Sequence, residues 1–97
     1  MDVAAPKVRR DVGDGQERWF CYVLECADGT FYTGITNSID RRLAMHNRRR
    51  ASRYTRGRLP VRLVHAEPYR DRASASRREI EVKKMSRVKK RRLGTLQ

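Results

Sequence analysis

Tyr22 and Tyr32 stand ten residues apart, Gly34 follows the second closely, and Arg42 and His46 share one short segment beyond it. These residue types suit chemistry on an anion. A phenol can relay a proton, a guanidinium fork can grip two phosphate oxygens, and an imidazole can join either task. Further on, Glu79 and Glu81 lie in a stretch crowded with Lys and Arg, where a carboxylate is a natural ligand for a hard cation. Hydrolysing a phosphodiester needs an activated water, neutralised phosphate charge and help for the leaving oxygen. The chain carries groups able to do each. Each also has a plainer reading. Paired hairpin tyrosines are commonly core aromatics with a wet hydroxyl. His46 could be a hydrogen-bonded core histidine, and Glu79 could pair with Lys83 one helical turn on.

Aromatic and β-branched residues over 19–26 predict one strand, and 30–36 predict a second, joined by Ala27-Asp28-Gly29. Loop length decides whether the tyrosines can cooperate. A two-residue Asp28-Gly29 turn pairs Tyr22 with Ile35 and sets the phenols on opposite faces. A three-residue loop with Gly29 left-handed pairs Tyr22 with Gly34 and puts both on one face. The terminal glycine favours the second. Residues 37–47 predict a helix, with Asn37 as N-cap and Asp40 at its positive end. Ile39, Leu43 and His46 form the inward stripe; Arg42 lies beside that stripe and Arg41 points into water. The plainer reading of Gly34 is that it only relieves crowding where this helix packs on the strand. After the basic stretch 48–58, alternation over 61–66 predicts a third strand, entered at Leu59-Pro60 and ended at Pro68. Residues 71–85 predict a helix with Ala75, Val82 and Met85 inward. The organisation read from this is a flexible basic tail (1–18), a domain (19–85) and a basic C-terminal segment (86–97) that extends the helix or forms another.

In 97 residues, 24 Lys+Arg face 11 Asp+Glu, a formal charge of +13. Such an excess attracts polyanions, of which nucleic acid is the commonest in cytoplasm. Arg41, Arg48, Arg49, Arg50, Arg53, Arg56 and Arg58 are expected to meet phosphates independently of sequence, with Tyr54 available to stack on an unpaired base. The terminal Lys/Arg cluster lengthens that electrostatic track. No apolar run approaches a membrane span, and the N-terminus lacks signal-peptide order, so a cytoplasmic protein without a membrane partner is expected. Cys21 and Cys26 sit five positions apart on one strand, facing opposite sides roughly 16 Å apart. They cannot bridge and read as free buried thiols.

The same residues resemble a known family. Phe20-Cys21-Tyr22 and Tyr32-Thr33-Gly34 stand where the GIY-YIG nucleases carry their two tripeptides, with the tyrosines and the second glycine matching. Arg42 falls eight residues after that glycine, where the family has its arginine, and His46 four residues later recurs in many members. "YTGITNSIDRRLAMHN" and "YTRGRLPVRLV" are similar to the small, single-domain bacterial branch of the superfamily. The resemblance implies an α/β fold, a small three-stranded antiparallel sheet with flanking helices. It also implies metal-dependent hydrolysis of DNA phosphodiesters with low sequence specificity, and a place in DNA repair or recombination. Tyr22 and Tyr32 would activate and position water, with either as the base. Glu79 would bind Mg²⁺ or Mn²⁺, favoured over Glu81 by its spacing from Ala75 and the Val82-Lys83 pair. Gly29 and Gly34 are structural. The partner is DNA ahead of RNA, with no small-molecule substrate, and the chain acts as a monomer or weak homodimer. The alternative is a non-catalytic nucleic-acid-binding module of the same fold, since the asparagine that some family nucleases place late in the domain has no evident counterpart. A ribosome-associated basic protein is the other rival.

Overall fold

The most apolar segment of the chain becomes the middle of its sheet. In a computed structural model, which describes residues 18–95, β1 (Trp19–Glu25) is buried over its five interior residues. It pairs antiparallel with β2 (Phe31–Thr36) on one side and β3 (Arg62–Tyr69) on the other, in the order β2-β1-β3. Central strands are covered on both faces, which is why β1 reads as a continuous apolar run rather than an alternation.

The hairpin takes the three-residue form. Gly29 has φ +84°; its amide donates to the Cys26 carbonyl at 2.9 Å, and the Cys26 amide donates to the Thr30 carbonyl at 2.8 Å. Tyr22 therefore lies opposite Gly34.

That register sorts the side chains into two cores. Phe20, Tyr22 and Leu24 meet Ile39, Leu43, Val61 and Leu63 under α1 (Ile39–Asn47), which leads on to the short α2 (Arg53–Arg56). Cys21 and Val23 meet Val82, Met85 and Leu93 under α3 (Arg72–Lys83) and α4 (Arg87–Thr95). The two free cysteines fall in different cores, on opposite faces as expected. The architecture is the expected one: a three-stranded antiparallel sheet between helices.

Several boundaries differ from expectation, each for a local reason. Ser38, not Asn37, is the N-cap of α1; the Thr36 hydroxyl accepts the Ser38 amide at 3.0 Å and turns the chain one residue later. β3 continues through Pro68 to Tyr69, because β3 is an edge strand and one side of it needs no donor. The basic stretch is not all loop: Ser52 accepts the Tyr54 amide at 3.0 Å and nucleates α2. α3 starts on the Asp71 cap, which accepts from Ser74 at 2.8 Å, and it stops at Lys83, short of Met85. The C-terminal basic segment forms its own helix, α4. The expected tail over 1–18 lies outside the described residues except at Arg18.

α3 buries only Ala75 and Val82, too little apolar surface to fix its rotation on the sheet. A polar clamp does so. Arg78 donates through Nε and Nη2 to the two Glu67 carboxylate oxygens at 2.9 and 3.1 Å. The Tyr69 hydroxyl adds a bond to Glu67 at 2.6 Å. Burial pushes the Glu67 carboxyl up, but the bonds from His65, Arg78 and Tyr69 outweigh it and bring it down to about 2. A folded value below the unfolded one means stabilisation present above the ordinary carboxylate range and lost as pH falls toward 2. Arg78→Ala should cost about 2 kcal/mol at neutral pH, because a half-buried carboxylate loses its bidentate partner. Urea melts check this; an unchanged midpoint would show that α3 is held by packing alone.

Candidate active site

β1, β2 and α1 bring four of the sequence-selected groups together on the α1 face. The Tyr22 and Tyr32 rings lie 6.3 Å apart, and His46 reaches both, at 6.0 Å from Tyr22 and 5.0 Å from Tyr32. Arg42 packs with Tyr22, Ile39 and Leu43 around a gap too small to admit water, half-buried where Arg41 is exposed, as the helical wheel placed it. Gly34 makes room for this cluster. A Cβ there would sit 2.7 Å from the Tyr22 hydroxyl oxygen and 2.8 Å from Cζ. Gly34 thus relieves crowding by the phenol of the facing residue rather than by a packed helix.

His46 is 1% exposed and both ring nitrogens are engaged. Nε2 lies 3.0 Å from the Tyr22 hydroxyl, and Nδ1 lies 2.9 Å from Thr55 Oγ1. The Thr55 hydroxyl also lies within 3.3 Å of the Ser52 carbonyl; donation there favours the tautomer with the proton on Nδ1. Nε2 then holds a lone pair toward Tyr22, whose hydroxyl donates to it. The result is a directional chain, Tyr22 to His46 to Thr55 to Ser52. The buried imidazole is hydrogen-bonded on both sides, as the plainer reading of a core histidine expected.

Burial, then the nearby Arg42 guanidinium, lowers His46 to about 4. Burial and the neighbouring Tyr32 raise the Tyr22 phenol, while Arg42 pulls it down and Glu79 pushes it up. The net direction is upward: in the protein alone, burial outweighs the pull of Arg42. Tyr32 is more exposed than Tyr22, and among the described residues its hydroxyl has no hydrogen-bond partner.

Glu79 arrives from the other layer. Its charge raises both the Tyr22 phenol and the Cys21 thiol, side chains on opposite faces of β1. Its side chain is 22% exposed and pairs with Lys83 at 3.3 Å. Glu81 is 64% exposed and bound to Arg78 at 3.0 Å, as an outlying arm of the α3 clamp. The two carboxylates that periodicity left open are thereby placed in different surroundings.

Of the basic residues singled out for nucleic acid, Arg41, Arg48, Arg49, Arg50, Arg53 and Arg56 are exposed. Arg58 is tied into the fold. It bonds Asp28 of the hairpin turn at 3.0 Å and the Tyr54 carbonyl at 2.8 Å, and lies 4.1 Å over the Tyr54 ring. Tyr54 stands 6.1 Å from Tyr32, continuing the row of phenols.

Thr55 is the residue that sequence reasoning missed. It lies in a basic stretch without periodicity, and the only sign was a hydroxyl residue shortly after the Ser52 cap. With Thr55→Val the imidazole should lose its fixed tautomer, and with Thr55→Ser keep it. Long-range ¹H–¹⁵N spectra of His46 read this directly, and a titration in the same sample should place the ring near 4 rather than 6.5. Since the unfolded chain binds the proton first, stability should fall as pH drops from 6.5 toward 4. A His46 signal that titrates normally, or a Val variant with unchanged nitrogen shifts, contradicts the chain of bonds.

The GIY-YIG catalytic domain family matches residues 18–92. A UPF0213 protein of Desulfotalea psychrophila is 53% identical over 77% of this chain and 69% of its own. One from Natronomonas pharaonis is 50% identical over 76% and 87%. The solution NMR structure of a UPF0213 protein from Bacillus halodurans superposes with a TM-score of 0.52 at 44% identity, covering 82% of this chain and 85% of that one. With the register, the paired phenols and the arginine placed as they are, this chain belongs to the GIY-YIG family, a nuclease superfamily, among its small UPF0213 members.

Proposed function

We propose that the protein is a metal-dependent endonuclease that hydrolyses DNA phosphodiester bonds with little sequence specificity, with Tyr22, Tyr32, Arg42, His46 and Glu79 as its working residues. The observation that carries this reading is the 3.0 Å hydrogen bond between the Tyr22 hydroxyl and Nε2 of a buried, neutral His46. A structural tyrosine needs only a partner; this one has a base.

A raised phenol makes free tyrosinate scarce at neutral pH, so a stepwise route through it is slow. The relay avoids that species. The attacking water gives its proton to the Tyr22 oxygen as the Tyr22 proton passes to His46 Nε2. The water oxygen bonds to phosphorus and the bond to the leaving sugar oxygen breaks. The leaving sugar oxygen takes a proton from solvent water and departs as the alcohol; His46, a cation for the duration of the step, then passes its proton back to Tyr22, which releases one to solvent, so both groups are restored. Thr55 holds the imidazole in the tautomer that can accept. Arg42 grips the non-bridging oxygens, and the half-buried Tyr32 positions water or phosphate.

The donor set fits a single hard divalent ion. Glu79 is one partly buried carboxylate, and among the described residues no three His, Cys, Asp or Glu side chains gather into a cage. Such a site suits Mg²⁺ or Mn²⁺, which keep several waters and take one or two carboxylates plus phosphate oxygens. When bound, the ion supplies Lewis acidity to the phosphate and the leaving oxygen. Lys83 pairs with the Glu79 carboxylate at 3.3 Å in the protein alone.

Incubating labelled single- and double-stranded DNA with Mg²⁺ or Mn²⁺, against EDTA, tests the reading. Cleavage should require the metal and disappear with Glu79→Gln while DNA binding persists. Cutting that survives both EDTA and Glu79→Gln rules this site out; binding without cutting under every metal condition leaves a binding module of the same fold.

A further inference from the structure

Two basic segments that lie far apart in sequence meet in space. α2 sits on the active-site side of the sheet and α4 on the other. α4 crosses its face with Gly94 pressed to β3, where a Cβ would lie 2.9 Å from the Val64 carbonyl. One turn earlier, at the middle of α4, the Arg91 guanidinium sits 5.5 Å over the Phe31 ring at the start of β2. β2 is an edge strand, and past that edge Arg87 and Lys90 of α4 join Tyr54 of α2. With Thr30 and Phe31 they line a shallow cleft of about 160 Å³.

The charges of this cleft are not neutralised locally. Nearby carboxylates are already engaged, Asp28 with Arg58 at 3.0 Å and Glu25 with Arg62 at 2.6 Å and Arg91 at 3.8 Å. Among the described residues Arg87 and Lys90 have no acidic partner. Two unpaired cations, a hydroxyl and the rim of an aromatic ring form a surface suited to a sugar–phosphate backbone. Tyr54, next to Tyr32, joins the cleft to the catalytic cluster.

We infer that the Tyr54–Arg87–Lys90 cleft grips the backbone of the DNA strand leaving the active site around the edge of β2, making α4 the second jaw of the substrate groove. This rests on the nuclease reading for its direction, but not for its binding test. Sequence-independent backbone contacts release counterions, so they weaken steeply with salt. Removing two of them should reduce the salt slope by about two and weaken binding about tenfold at moderate salt.

Fluorescence anisotropy with labelled oligo(dT), across a salt series, compares wild type with Arg87→Ala/Lys90→Ala and with Arg70→Ala/Arg77→Ala. The control pair removes the same charge from exposed positions on β3's side and α3. The expected result is a tenfold loss with a shallower slope for the first pair and a much smaller loss for the second. In cleavage assays the first pair should raise KM and leave kcat at saturating DNA near wild type. Equal losses in the two pairs, no loss in the first, or wild-type protein that binds no oligonucleotide at low salt each overturn the inference. Binding that depends on the cleft in a protein that never cuts leaves the cleft standing and removes the nuclease.

Discussion

Tyr22→Phe should lower the cleavage rate by about two to four orders of magnitude, the usual worth of a positioned proton-transfer group. The substitution takes away one oxygen. The ring still fills the space under α1 that Gly34 leaves open, so the fold should persist, at a cost of about 1 kcal/mol for the His46 nitrogen left without its donor. DNA binding should hardly change. Tyr32→Phe should cost less, because its hydroxyl contacts no base among the described residues. Single-turnover cleavage of labelled DNA, with thermal melts on the same preparations, measures both. If Tyr22→Phe cuts at close to the wild-type rate, the phenol is a core aromatic and the relay does not exist. A larger loss for Tyr32→Phe would reverse the assignment of the two tyrosines.

Arg42→Ala should reduce the rate by about 10²- to 10³-fold, as expected when a preorganised group aimed at transition-state charge is removed. Arg42→Lys should recover little of this, since a compact ammonium cannot span two phosphate oxygens. Affinity should fall far less than rate, because many exposed arginines share the work of binding. A second readout ties the arginine to the relay. Arg42 depresses both His46 and the Tyr22 phenol, so without it the His46 titration should move upward from about 4. Equal losses in rate and affinity, with His46 unmoved, would make Arg42 an ordinary phosphate contact remote from the site.

The strand that becomes the sheet centre, the loop length of the hairpin and the side of α1 that faces inward were all legible in the chain. They follow from short-range rules: period-two and period-3.6 patterning, a glycine that tolerates positive φ, and the tilt of neighbouring side chains. Those rules also placed Tyr22 opposite Gly34 and Arg42 beside Leu43. Local pattern was weaker at element ends, where Thr36 rather than Asn37 set the start of α1 and an edge position let β3 run past Pro68.

What depended on contacts between distant residues was not legible. Thr55 meets His46 only after α1 and α2 fold over the same core, and no periodicity marks it. The rotation of α3 is set by Glu67 on β3, which separates Glu79 from Glu81 although both sit on one helix. The direction of the Tyr22 shift needed burial, which composition does not reveal. The joining of Arg87 and Lys90 to Tyr54 needed a helix laid across the far face of the sheet. The sequence by itself determined which groups share a strand or a helical face, since that is fixed by backbone geometry within a few residues. Only the tertiary structure decided which groups share a proton or a phosphate. Those interactions act over a few ångströms, between atoms that the chain separates by tens of residues.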